Sequence, residues 1–435
     1  MILTVAIAGV SAICMVIAVL LKPYIKIAKV QVGLYWIICL IGAILMLLLG
    51  CIDLNSVFSG LTANSSVNPL KILTLFLSMT LLSVYLGDAG FFDYVADVVF
   101  VKSKGGQMRL FLILYFVVSV LTVFTSNDII ILTFTPPICI FAKKAKVSPL
   151  PFLFGEFIAA NTWSMALIIG NPTNIYLAQS FGITFSEYLS VMLLPAVAGG
   201  LTGLGALVLI FRKQLAKPIA RQNQENSTRY PRIAKVPMLV AITHLIIAII
   251  LLAISDIIGV EMYLICLILA LSLTIFNIVY DLIIFHSPAP VFKSLKKEPY
   301  ELIPFVLSMF VIVLALKNSG ATDLLSDLLI SGQIKDALSF GVLSTISANL
   351  LNNIPMSVLF EKIISSSSVS AVYGSIIGSN VGAFLTPVGA LAGIMWSKIL
   401  KKYDINMSFK KFVLYGSAVA IPTLLSAVGT LCLVL

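Results

Sequence analysis

Apolar runs of about twenty residues recur along this chain, and four of them are broken in mid-run by polar and helix-breaking residues. The breaks come in pairs. A hairpin of two short apolar arms, Leu110 to Ala142, is interrupted at Thr125-Ser126-Asn127-Asp128, and a second, Asp336 to Ile364, at Asn352-Asn353-Ile354-Pro355. Each is followed by a longer apolar segment that is itself broken, at Gly170-Asn171-Pro172-Thr173-Asn174 and at Thr386-Pro387-Val388-Gly389. Such backbone is tolerated at membrane depth only where protein buries it or where it lines a cavity. Paired breaks in corresponding halves of a chain point to the binding site of a secondary transporter.

With 60% hydrophobic and 11% charged residues, the 435-residue chain has the balance of an all-α polytopic membrane protein, not of a soluble domain. The period-2 alternation of an outer-membrane barrel is absent. The six cysteines are scattered through apolar runs without C-x-x-C spacing and read as packing residues. The first segment, Ile2 to Leu21, lacks a basic leader and a cleavage site, and reads as a retained span.

About ten full crossings are expected, at 2–21, 32–50, 70–87, 150–180, 188–211, 237–255, 262–284, 302–319, 370–400 and 412–434. Each arm of the first hairpin counts about 14 apolar residues, roughly 21 Å of helix against a hydrocarbon core of roughly 30 Å. Both hairpins are therefore expected to be re-entrant. With the N-terminus outside, 24 of the 28 lysines and arginines fall on the cytoplasmic side, leaving only Lys71, Lys317, Lys335 and Lys362 outside. This orientation puts the mouth of the first hairpin inside and that of the second outside, the mark of an inverted repeat. The chain divides into a first repeat with its N-terminal spans (1–211), a polar cytoplasmic linker (212–236) and a second repeat (237–435). The net charge of +10 is thus a topology signal in a plasma or inner membrane, not a nucleic-acid surface. Two stretches, Phe91 to Val101 and Ala321 to Ile330, read as interfacial amphipathic helices that frame the hairpins.

The chemistry sits at the breaks. Asn127, Asp128, Asn352 and Asn353 put amides and one carboxylate at the hairpin tips. There a helix N-terminus suits an anion and a helix C-terminus suits a cation. Pro172 frees an upstream carbonyl and Gly170 allows close approach, so Asn171 and Asn174 can reach a ligand. Asn161-Thr162 and Ser379-Asn380 lie upstream of the two broken segments. Asp128 is the one acidic residue placed deep in the membrane, and so a candidate proton carrier or cation ligand. Glu156 is a weaker candidate. Asp281 and Glu301 read as interfacial and His244 as a packed neutral histidine. No phosphate-binding glycine loop, metal cluster or nucleophile triad occurs, so neither an enzyme nor an ATPase is expected, and no cofactor beyond a coupling proton or sodium ion.

At these motifs the chain resembles the ion transporter superfamily, and within it the arsenite-efflux permease and sodium–proton antiporter group that shares a citrate-transporter-like domain. The matching strings are SNDIIILTFTPP (126–137), AANTWSMALIIGNPTNIYLAQSFGITFSEYL (159–189), NNIPMSVLFEKI (352–363) and YGSIIGSNVGAFLTPVGALAGIMWSKIL (373–400). The resemblance implies scaffold and transport domains, a homodimer, and elevator-type alternating access. It points to Ser126, Asn127 and Asp128 at the first tip and to Asn171, Thr173 and Asn174 at the first break. In the second half it points to Asn352 and Asn353 at the tip and to Thr386, Pro387 and Gly389 at the break. Asn161 and Asn380 complete the set read from the residues. The paired Ser-Asn-Thr signature of the dicarboxylate branch is missing. The expected function is secondary transport, foremost arsenite or antimonite efflux driven by a proton or sodium gradient. A small inorganic or organic anion permease and a Na⁺/H⁺ antiporter stay open as alternatives. So does a separate ATPase subunit.

Overall fold

A computed structural model of the chain describes residues 1–21, 24–27, 30–62, 68–102, 106–219, 234–322, 333–364 and 368–435. Two expectations, the middle of the linker (220–233) and most of the second interfacial stretch (323–330), lie outside the described residues.

The first half opens with α1 (Ile2–Leu21), a two-stranded hairpin (Tyr24–Ile27 with Val30–Gly33), α2 (Leu34–Leu48) and α3 (Leu54–Thr62). It continues through α4 (Pro69–Asp88), α5 (Phe91–Lys102), α6 (Gln107–Phe124), α7 (Asn127–Ala145), α8 (Leu150–Trp163), α9 (Pro172–Ser180) and the 31-residue α10 (Phe185–Leu215). The second half comprises α11 (Lys235–Ala253), α12 (Ser255–Ile258), α13 (Met262–Phe285), α14 (Ala289–Leu295) and α15 (Leu302–Asn318). It ends with α16 (Gln333–Leu351), α17 (Asn353–Ile363), α18 (Val369–Gly382), α19 (Leu391–Lys402) and α20 (Phe409–Val434). Among the described residues six helices, α4, α6, α10, α11, α13 and α20, are long and apolar enough to cross a membrane, and α1, α2 and α15 are shorter apolar helices.

The interfacial helix expected at 91–101 is α5, but the hairpin arms differ from expectation. Helices α6 and α7 have 18 and 19 residues, not 14, because Gln107 and Arg109 open α6 and Lys143 and Lys144 close α7. At 1.5 Å per residue these arms run roughly 27–29 Å, so length alone no longer distinguishes them from full spans. The strand pair at Tyr24–Gly33, with Tyr24 opposite Gly33, stands where the sequence suggested only a basic loop.

Packing is reciprocal between the halves. Helix α4 lies on α13 while α15 lies on α2; α7 lies on α19 while α17 lies on α9; and α10 packs along α20. The tightest pairing is α16 with α18. Here Gly374, Gly378 and Gly382 recur every fourth residue, and the backbones approach so closely that a Cβ on Gly378 would strike Ser344 Oγ and the Gly341 carbonyl. Small residues allow such approach where dispersion, not water exclusion, joins helices. Every residue of α18 from Ser370 to Gly382 is buried. Gly378→Val is therefore expected to destabilise the protein by about 3 kcal/mol, at the upper end of overpacking costs, read as a lowered unfolding temperature of the purified protein.

Charged contacts add little. Lys71–Glu261 (2.6 Å) and Lys297–Asp88 each tie a helix to the end of another element, but at partly exposed positions where ion pairs contribute roughly 0–1 kcal/mol. Glu301 binds the Gly33 N–H (3.1 Å) and the Tyr35 hydroxyl (2.9 Å), which ties the strand pair and α2 to the start of α15. His244 bridges its own Val240 carbonyl and Ser272 of α13. Asp281 is buried near the end of α13, where the sequence reading placed an interfacial group.

Candidate functional site

Four local breaks make the site. At the first tip Thr125 and Ser126 leave helical geometry, and α7 starts afresh at Asn127. The Asn127 side chain accepts from the Asp128 N–H (2.9 Å) and donates to Asn161 Oδ1 (3.0 Å). Asn161 in turn donates to its own Phe157 carbonyl (2.8 Å). The Ser126 hydroxyl is buried with no partner. The half-buried Asp128 side chain accepts no hydrogen bond among the described residues.

After α8 the chain makes two 3₁₀ turns, Ser164–Ala166 and Ile168–Gly170, separated by extended Leu167. Gly170 is required here, since a Cβ would strike the Ser164 carbonyl. Asn171 caps α9 by accepting from the Thr173 N–H (3.2 Å) and hydroxyl (3.1 Å), and Pro172 stands at the first helical position. Asn174 donates to the Ser164 carbonyl (2.9 Å) and to the Leu167 carbonyl (3.2 Å), which also accepts from the Gly170 N–H (3.1 Å).

The second half reaches across to this break. Asn380 Oδ1 accepts from Ser164 Oγ (2.9 Å) and Asn171 Nδ2 (3.0 Å), and Asn380 Nδ2 donates to Asn174 Oδ1 (2.8 Å) and to Ile376 O (2.8 Å). Ser379 donates to Thr173 Oγ1 (2.9 Å). Asn161, Asn171, Thr173, Asn174, Ser379 and Asn380 are all fully buried, at 0% exposure. A polar chain thus runs from Asn127 through Asn161 and Ser164 to Asn380, joining both halves.

The second tip is built differently. Asn352, the one residue between α16 and α17, takes φ +73° and ψ 155°, a positive-φ conformation outside the left-handed helical well that residues with a side chain rarely adopt. Its Nδ2 donates to the Val388 carbonyl in the second break (3.1 Å). Asn349, one turn earlier, donates to the Thr345 and Gly382 carbonyls and accepts from Thr386 Oγ1 (2.6 Å), which itself accepts from the Val388 N–H (3.2 Å). A Cβ on Gly389 would crowd the Gly382 carbonyl (2.5 Å) and Asn349 Oδ1 (2.9 Å), so this turn also needs glycine. The Oδ1 atoms of both Asn352 and Asn353 are buried and unpartnered.

The expected residues therefore gather into two sets. Asn127, Asn161, Asn171, Thr173, Asn174 and Asn380 form one, and Asn352, Thr386 and Gly389 form the other. Asn353 joins neither network by a side-chain hydrogen bond. Ser126 and Asp128 flank the first set without bonding into it. The sequence reading missed Asn349 and Ser164. Asn349 sits three residues before Asn352, on the same helix face, and that spacing could have flagged it.

Each tip faces a different wall. Asn352 borders a cavity of about 10 Å³ with Met15, Tyr35, Phe305, Val388 and Leu391. Beside the first tip a wider apolar cavity of about 360 Å³ opens between Leu86, Phe124, Thr125, Leu245 and Ile249.

Interrupted helices from both halves, buried in protein, gathered into two polar sets and tied across the halves through Asn380, define a multi-pass membrane transporter. The chain belongs to the citrate transporter family, whose profile matches residues 32–375. It is 25% identical over 374 residues to the arsenical pump membrane protein of Escherichia coli strain K12, covering 82% of this chain and 85% of that one. It is 26% identical over 404 residues to the putative arsenical pump membrane protein of Bacillus subtilis strain 168, covering 86% and 88%. The fold is similar to that of the Alcanivorax borkumensis YdaH transporter, whose crystal structure shows an unusual topology. That match has a TM-score of 0.59 at 14% identity and covers 99% of this chain and 97% of the other.

Proposed function

We propose that this chain is a gradient-driven secondary transporter that exports arsenite or antimonite as the uncharged trihydroxide. The observation that carries the reading is the polarity of the tips. Every site amide whose N–H bonds a backbone carbonyl has its orientation fixed by that carbonyl. This holds for Asn161, Asn174, Asn349, Asn352 and Asn380. The tip atoms that are buried without a partner are oxygens: Ser126 Oγ, which can also donate, and Asn352 Oδ1 and Asn353 Oδ1, which can only accept. Each helix N-terminus also gives up one donor. The third residue of α17 is Pro355, which has no N–H, and the Asp128 N–H of α7 is taken by Asn127. An acceptor-rich site suits a ligand that brings O–H donors or positive charge. It suits a carboxylate poorly, since a carboxylate offers acceptors only.

The reciprocal packing of the halves supports an inverted repeat, with re-entrant hairpins α6/α7 and α16/α17 and the N-terminus outside. The Asn380 joint supports movement of the two breaks as one transport body against a scaffold of α1, α2, α4, α11, α13 and α15. Homodimerisation and a separate ATPase subunit are carried over from the family resemblance alone. Sodium–proton exchange is the second reading, favoured by the same acceptor oxygens and by the unpartnered Asp128.

The test is arsenite uptake into everted membrane vesicles under an imposed pH gradient. Wild type should accumulate arsenite, and Asp128→Asn should lose at least tenfold of that accumulation. No arsenite flux through correctly inserted wild-type protein would sink the substrate assignment, and sodium-dependent proton movement in the same vesicles would replace it with the second reading. Asn352→Ala and Asn353→Ala should each raise the half-saturating arsenite concentration by about tenfold, the equivalent of one hydrogen bond, in initial-rate measurements.

A further inference from the structure

Glu156 lies outside the site just described, on α8 five residues before Asn161, or roughly 7.5 Å along the helix axis. It is fully buried, at 0% exposure. Oε1 accepts one hydrogen bond, from Thr135 Oγ1 of α7 (2.9 Å), and Oε2 has no partner. The indole N–H of Trp396 on α19 approaches the same carboxyl but closes no hydrogen bond with any group. Glu156 thus stands where the first hairpin, the first broken helix and the second broken helix meet, drawing on both halves of the chain.

No described residue balances its charge. Among the described residues Lys71–Glu261, Lys297–Asp88 and Lys362–Glu361 are paired, and no ion pair is formed by Glu156. Around the carboxyl, α7 brings Thr135 and the Cys139 thiol and α19 brings Trp396. Tyr115 of α6 donates its hydroxyl to the Gly200 carbonyl of α10 (2.6 Å), and Tyr415 of α20 packs on Phe154 of α8. None of these carries positive charge, and no ionisable group of α10 or α18 acts on the carboxyl. Burying an ion without its counterion costs several kcal/mol, which one hydroxyl donor does not offset.

The balancing charge must therefore come from solution. A single carboxylate matches a monovalent cation, and among the described residues no further acidic, cysteine or histidine groups gather into a divalent metal site. Pro136 and Pro137 follow Thr135 inside α7 and lack N–H groups, so the carbonyls of Leu132 and Thr133 lose their usual helix partners.

We propose that Glu156, with Thr135 and Trp396, forms a monovalent cation site, for a proton or a sodium ion, that is occupied when α7, α8 and α19 are packed together. Its use in coupling rests on the transport function proposed above, but its occupancy does not. Loss of the cation leaves a bare buried charge and drives α7 and α19 apart to admit water, so occupancy is linked to the state of the first hairpin.

The experiment is infrared spectroscopy of the purified full-length protein in nanodiscs, at neutral pH, in sodium chloride and in sodium-free choline chloride. Proton occupancy gives a carboxylic C=O band that is indifferent to sodium, lost in Glu156→Gln and kept in Asp128→Asn. Sodium occupancy gives that band only in choline buffer, again lost in Glu156→Gln. Superimposable wild-type and Glu156→Gln spectra in both buffers would overturn the site. Should Glu156→Gln fail to assemble, Thr135→Val decides: it removes the one hydrogen bond and must shift the band, and an unshifted band overturns the proposal equally. Failure of arsenite transport would leave these spectra unchanged, so the two readings fail separately.

Discussion

Replacing Asn380 by alanine is expected to abolish transport and to lower stability by about 2–5 kcal/mol. The side chain makes three hydrogen bonds to the other half of the molecule, with Ser164, Asn171 and Asn174. Removing it leaves a hydroxyl, an amide N–H and an amide oxygen buried without those partners. In soluble proteins each such orphan costs roughly 1–3 kcal/mol, and polar contacts between membrane helices average about 0.6 and reach about 1.7 kcal/mol. The range follows from three contacts on the membrane scale, with the upper end allowing for partners that find no substitute. Asn380→Asp should fail too, because it keeps the acceptor for Ser164 and Asn171 but gives up donation to Asn174 and Ile376. Thermal unfolding of the purified variants and flux in vesicles are the measurements. A variant at full stability and full flux would show that the two halves do not depend on this joint.

The second large effect is a pH dependence at the loop before α15. Glu298 is buried, and neither of its carboxylate oxygens has a hydrogen-bond partner. Its neighbour Lys297 is engaged by Asp88 and does not neutralise it. Burial pushes the Glu298 carboxyl up from 4.5 to about 8, and Tyr85 and Tyr300 lie close enough to feel its charge. The folded protein therefore holds this proton at pH values where the unfolded chain has released it. The stabilisation from that proton is complete below about pH 4.5 and is lost as pH rises through about 8. At about 1.4 kcal/mol per pH unit the whole effect is worth at most about 5 kcal/mol. Wild type should lose unfolding temperature between pH 6 and pH 9, while Glu298→Gln should show a flat profile and exceed wild type at pH 9 by about 2–5 kcal/mol. A wild-type profile as flat as that of the variant would mean that Glu298 is solvated in solution.

The interruptions were legible in the sequence because their causes are local. Proline removes a donor, glycine permits close approach and asparagine caps, so 126–128, 171–174, 352–353 and 386–389 announce themselves. The partners across the molecule were not legible. Asn380 meets Asn171 over a separation of 209 residues, and nothing in a single sequence sets that register. Asn349 was hidden because it lies inside a regular helix and bends nothing. The hairpin arms were read too short because apolarity marks where a helix is greasy, not where it ends. Helix α16 begins at Gln333, before Asp336, a buried carboxylate that accepts from Ser368 Oγ (2.6 Å). Glu156 was underrated for a related reason. Its position near a predicted span end implied exposure, and only the packing of α7 and α19 shows that it is fully buried.

The sequence separation of the Asn380 joint also bears on how the protein is made. Ser164, Asn171 and Asn174 leave the ribosome more than 200 residues before the side chain that satisfies them. During that interval the first broken helix is a polar defect inside an unfinished bundle, shielded only by its own hairpin and by water. Until α18 is inserted, the N-terminal half exposes the groups by which quality-control proteases and chaperones recognise unassembled membrane segments. Truncations ending before residue 380 should therefore be short-lived even where every preceding span has inserted in its correct orientation.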